Sequence, residues 1–296
     1  MLGRITNQQL LHSSQRSLQS SRAQLAQLQE QVSTGKAISR PSDDPSATAS
    51  IMRVRSEQRA VAQYATNIND GLAWLSTVDS ALAGSEDLLR QARDLTVRGA
   101  NSGTMTPATR EAIATQLEGL RADLLQQANA TYLGRSVFAG TSDTGAAFDS
   151  NAPYAFSGVP GAEVSRRISA TESVVVDADG AAAFGTGGSS LFALIDTIVT
   201  DLRAGNDVSG RITELDAHRD NITTQHALIG ARYARMEQAQ VTNLSQSTAL
   251  ETQRAGIEDV DPAKAIIDLK SQELTYQTAL AVTARALQPT LLDYLS

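Results

Sequence analysis

The 296 residues predict a mainly α protein: a long antiparallel helical, coiled-coil trunk built from both chain ends, with a small β-rich insert. Three observations carry that expectation. Val54, Val61, Ile68, Leu75, Leu82 and Leu89 recur every seven residues, and Leu215, Ile222, Ile229 and Met236 do the same far downstream. A single apolar seam at this spacing marks helices that pack along their length. Aromatics are 4% of the chain against 41% hydrophobic, which suits narrow packing of Ala, Leu, Ile and Val better than a bulky core. Between the seams, residues 141–190 hold seven glycines and short β-prone runs.

Taken in order, residues 1–35 place Leu11, Leu18, Leu25 and Val32 at successive sevens with Leu28 on an adjacent line, one seam on a Gln- and Ser-rich rod. Pro41 interrupts it. Asp44-Pro45 then starts a helix, with a carboxylate to cap the free N–H groups and a proline where no N–H is needed. The first long heptad run follows, thickened by Ile51, Tyr64, Leu72 and Val78, and fades near Gly99–Gly103. Thr106-Pro107 restarts a helix with the face Ile113, Leu117, Leu120, Leu124 and Ala128, expected to end at Gly134.

The insert is expected to carry strands at Tyr154–Phe156, Val164–Ile168 and Ser173–Val176. A helix from Leu191 to Leu202 stops at Gly205. The second heptad run continues to Leu250, with Asn243 at the position between; a buried Asn there would fix register, whereas local rotation would expose it. Asp261-Pro262 opens a last helix bearing Ile266, Leu269, Tyr276, Leu280, Leu287 and Leu291, with a kink expected at Pro289. Residues 1–42 hold five bases and one acid, net +4; residues 257–296 hold six acids and three bases, net −3. Opposite signs favour pairing of the two ends, at no more than about 1 kcal/mol for each exposed pair.

Chemistry is poorly supported. The absence of cysteine excludes disulfides, thiolate metal sites and thiol nucleophiles. A net charge of −7 argues against nucleic acid, and no apolar run approaches a membrane span. Glu214 and His218 share a helical face, but His12 and His226 supply no third ligand at suitable spacing, so a solvated face is the ordinary reading. Gly185–Ser190 lacks the Lys of a phosphate loop and reads as a hinge. Asp43 and Asp44 read as capping groups, and Trp74 as packing. No catalytic residue, cofactor or metal is expected, and the chain is not expected to be an enzyme.

LQEQVSTGKAISRPSDDPSA (Leu28–Ala47) resembles the amino-terminal signature of the bacterial flagellin family, and IEDVDPAKAIIDLKSQELTYQTALAVTARALQPTLLDYL (Ile257–Leu295) is similar to the matching carboxy-terminal signature. Within the family, ISRPSDDP, YLGRSVFAGT (Tyr132–Thr141), the short insert and LLDYL resemble subunits at the hook–filament junction more than filament subunits. The resemblance implies an inner domain of 1–42 with 257–296, a trunk of 43–140 with 191–256, and an outer domain of 141–190.

It further implies a structural protein forming a ring with copies of itself, between hook-associated protein 1 and flagellin. Such subunits lie in the extracellular flagellum, exported through the flagellar secretion apparatus with an export chaperone and without a cleaved signal. The terminal seam (Leu11, Leu18, Leu25, Leu28, Val32, Ile266, Leu269, Tyr276, Leu280, Leu287, Leu291) is then expected to serve assembly, and the heptad seams to hold the trunk. Filament flagellin itself is the near rival. A helical binding or export-linked module is the rival of another class.

Overall fold

The computed structural model describes residues 2–101, 105–159 and 161–286 and, of these, the side chains of all but residues 2–8, 10, 11 and 286. The long helices are α1 (Leu2–Thr34), α2 (Pro45–Ala100), α3 (Pro107–Ala128), α5 (Leu191–Ala204), α6 (Ser209–Glu258) and α7 (Pro262–Ala286). Between α3 and α5 lie two small antiparallel hairpins, β1 (Thr131–Tyr132) with β2 (Arg135–Ser136) and β3 (Ser165–Arg167) with β4 (Ser173–Val175), and the short α4 (Gly180–Phe184). The chain forms two compact units, Met1–Arg59 with Ser247–Ser296 and Ala60–Gln246.

In the larger unit, the heptad residues of α2 (Val61, Ile68, Leu75, Leu82, Leu89) are at most 3% exposed, and Leu215, Ile222, Ile229 and Met236 of α6 are fully buried. The two helices run antiparallel here. Arg93 pairs with Asp216 at 2.8 Å, and Gln240 donates to Asn69 at 3.1 Å. Asn243 is buried, and its Nδ2 donates to the Val61 carbonyl at 3.0 Å, so of the two readings left open by spacing the register-fixing one describes it. Thr106 caps α3 by accepting from the Thr109 N–H. Arg203 of α5 forks onto Glu111 and Glu118 of α3, tying these two helices together.

The insert differs from expectation in two ways. Tyr154 has φ of 57°, a left-handed conformation that breaks the extended run, and Tyr154–Phe156 forms only an isolated bridge between Phe156 and Phe148. The third helix ends at Ala128, not Gly134, because the chain turns into the β1–β2 hairpin. What holds the segment is aromatic. Phe148 packs edge-on against Phe184 and Phe192 at 5.9 and 5.3 Å, and Phe138 against Phe184 at 5.4 Å.

In the smaller unit, Ile51, Val54 and Leu250 are buried, and α1 lies against α7. Few side chains of that helix pair are enclosed. Ser21 and Ala265 are, at 8% and 1% exposure.

Candidate functional site

The two family-like motifs meet in the smaller unit. Thr34 ends α1, and Gly35 follows at φ of +69°, a left-handed turn that a side chain would strain. That turn lays Lys36 antiparallel to Asp259: the Ala37 N–H donates to the Glu258 carbonyl at 2.7 Å, and the Val260 N–H to the Gly35 carbonyl at 3.0 Å. The backbone just after the first helix is thus stitched to the backbone just before the last.

Glu258 locks the stitch. Its side chain is 2% exposed and takes three cations, Lys36 at 2.6 Å, Arg55 at 2.8 Å and Arg254 at 3.0 Å. Burial alone would raise its pKa, but hydrogen bonds from Lys36, Arg254 and Arg55 outweigh burial and hold it at about 2. The three cations come from the α1–α2 connection, from α2 and from α6, so one carboxylate gathers segments from opposite ends of the sequence. Sequence reading counted Glu258 only as one of the acids at that end. Its position within IEDVDP, opposite the STGK lysine, was the signal available.

The flanking acids serve geometry. Asp43 accepts from the Arg40 N–H at 2.9 Å, and Asp44 caps α2 by accepting from the N–H groups of Ala47 and Ser46 at 2.9 and 3.0 Å. Those bonds, the one from Ala47 foremost, draw the Asp44 pKa down. Asp261 caps α7 in the same way, through the Ala263 N–H at 2.9 Å.

Along the end helices, Leu18, Leu25, Leu28 and Val32 of α1 and Leu269 and Tyr276 of α7 are half-buried. Ile266 and Leu280 are exposed, at 50% and 43%. The side chain of Leu11, and Leu287, Pro289 and Leu291 altogether, lie outside the described residues. The α1–α7 contact includes a polar link, with Gln272 Nε2 donating to Ser21 Oγ at 2.9 Å. Ile267, Leu274 and Val282 of α7 are 61–67% exposed, and Leu274 and Val282 line an open groove shared with Ser14, Ser17 and Leu18 of α1. Sequence reading did not single out these three.

Among the described residues, no group of three His, Asp or Glu side chains could hold a metal, and no helix is long and apolar enough to cross a membrane. Burial pushes the His218 imidazole below its ordinary pKa. His226 sits between Asp79 at 3.0 Å and Glu86 at 3.2 Å. Ser190 caps α5 by accepting from the Ala193 N–H. Trp74 is buried in the core against Tyr132.

Residues 5–143 match the bacterial flagellin N-terminal helical region, and residues 212–295 match the bacterial flagellin C-terminal helical region. The chain is 26% identical to flagellar hook-associated protein 3 of Salmonella typhimurium, over 93% of this chain and 94% of that protein. It is also 26% identical to flagellin of Bacillus subtilis, over 88% of each. The solved FlgL of Bacillus cereus superposes with a TM-score of 0.60 at 18% identity, covering 69% of this chain and 99% of that one.

Proposed function

The chain belongs to the bacterial flagellin family, and on that premise we propose that it is the structural subunit joining the flagellar hook to the filament, of the hook-associated protein 3 type. It is a structural component of the flagellum rather than an enzyme. In this role it forms a ring of its own copies, with hook-associated protein 1 on one side and flagellin on the other. It reaches that place through the flagellar secretion apparatus, with an export chaperone and no cleaved signal, and works outside the cell. Residues 1–42 with 257–296 make the inner domain, 43–140 with 191–256 the trunk, and 141–190 the outer domain.

One observation carries the assembly role. Ile267, Leu274 and Val282 expose apolar surface on the last helix, Leu274 and Val282 along an open groove beside α1. Isolated apolar side chains are ordinary on a protein surface, but three along one side of a helix that is already paired suit a second neighbour. The terminal seam serves assembly by pairing the two end helices, which presents these three side chains to the neighbour, while the buried heptads of α2 and α6 hold the trunk.

The test is a strain lacking this gene, examined by electron microscopy and by assay of the medium for flagellin. Intact hooks, bare of filaments, with flagellin released into the medium are expected. Normal filaments on the deletion strain overturn the proposal. Long filaments built by the purified chain alone would favour the filament-flagellin reading instead.

A further inference from the structure

Resting on the structural-subunit reading above, we propose that the turn at Leu133 is a docking knob that seats in the groove between α2 and α3 of a second copy of this chain. Leu133 is 82% exposed, the most of any large apolar side chain described, and its φ is +49°. It occupies, with Gly134 at φ of +80°, the two-residue turn of the β1–β2 hairpin. Such a turn favours Asn or Asp followed by Gly, because a side chain bulkier than these resists the left-handed region. Neither backbone preference nor exposure to water selects a leucine at this place.

The knob is held firmly. On one side of the turn, Tyr132 packs 5.5 Å from Trp74 and donates its hydroxyl to Asp70 at 3.2 Å. On the other, the Arg135 guanidinium lies 5.7 Å from the centre of the Trp74 ring. Trp74 is buried in α2, so the leucine stands on a rigid base, which reduces the ordering a partner must impose.

The groove has the complementary character. Its floor includes buried Leu95 of α2 and half-buried Leu120 of α3, and its volume is roughly 370 Å³. Gly119 lines it from the middle of α3, with no atom within 4 Å of where a Cβ would stand. Glycine is unfavourable inside a helix, so helix stability does not select it here; what it does is keep the groove open. Around that floor Gln91, Asp94, Gln116 and Asp123 form a polar rim, with Arg98 one turn beyond Asp94 along α2. Neither aspartate forms an ion pair among the described residues, and Arg135, two residues from the knob, has no carboxylate partner among them either. Knob and groove lie at different places on one chain, so their pairing is head-to-tail and generates a ring or a helical row of copies.

The chain has no cysteine, so Leu133→Cys and Gly119→Cys each introduce a unique thiol. Two differently tagged chains, one with each substitution, are produced together, and a short bismaleimide is applied to purified flagella. A 133-to-119 link between two tagged chains is expected. The chain present in flagella without that link, or Leu133→Cys linked only to another protein, overturns the inference and leaves the junction role standing. The chain absent from flagella overturns both. As a second measurement, Leu133→Asn suits the turn better and should leave the thermal midpoint unchanged or raised while increasing the shedding of filaments under shear. Shedding equal to that of the parent would count against the knob.

Discussion

Replacing Glu258 by Gln keeps the shape of the clasp and removes the charge that three cations share. With the carboxylate at about 2 in the folded chain against 4.5 for an ordinary glutamate, linkage gives about 3 kcal/mol at neutral pH. Lys36 and Arg55 are about half exposed, so solvent screening lowers this to about 2 kcal/mol. A folded-state pKa below the ordinary value means the contribution is complete above pH 4.5 and fades as pH falls toward 2. Native-state hydrogen exchange reads the clasp directly, through the amides of Ala37 and Val260 that close it. At pH 7 their protection should fall about 30-fold in Glu258→Gln if they exchange by opening of this unit. The difference between parent and variant should shrink as the pH is lowered through 4. Unchanged protection at pH 7, or a loss that persists undiminished at pH 3, would refute the reasoning.

Other perturbations separate fold from assembly. Burial raises the Asp177 carboxyl to about 6, so its ionisation costs stability as pH rises from about 4 through 6; Asp177→Asn should therefore stabilise the chain at pH 8 by about 2 kcal/mol and do little at pH 4, as denaturant titrations would show. Leu75→Ala, at a fully buried heptad position, should cost about 3 kcal/mol in the same titration. Ile267→Ser with Leu274→Ser should change the thermal midpoint of the isolated chain by less than about 2 °C, since both side chains are already in water, yet should strip filaments from hooks.

The helical trunk was legible because its signal is local and repeated. A seam at every seventh residue means burial along one line, and Val61 to Leu89 and Leu215 to Met236 are buried along that line. The Asp-Pro and Thr-Pro starts were legible for a similar reason, since a cap needs only its own next few residues. The insert was harder. Its hairpins are two and three residues long, too short for alternation to register, and Tyr154 leaves the extended region altogether. Its real signature went unread: all five phenylalanines of the chain fall between residues 138 and 192, where they build one aromatic cluster. Glu258 escaped for another reason. Arg254 reaches it from one turn away, but the pairing with Lys36 and Arg55 spans more than 200 residues, and only the two motifs read together hint at it. The border between the two compact units is likewise unmarked, because it falls inside the continuous helices α2 and α6.

The most direct test compares hydrogen exchange of the end helices, residues 12–34 and 262–285, in the isolated chain and in purified flagella. Weak protection when alone and strong protection once assembled is the expected result, because apolar surface such as Ile267 and Leu274 then gains a neighbour. Equal, trunk-like protection of these helices in the dilute isolated chain would contradict the account.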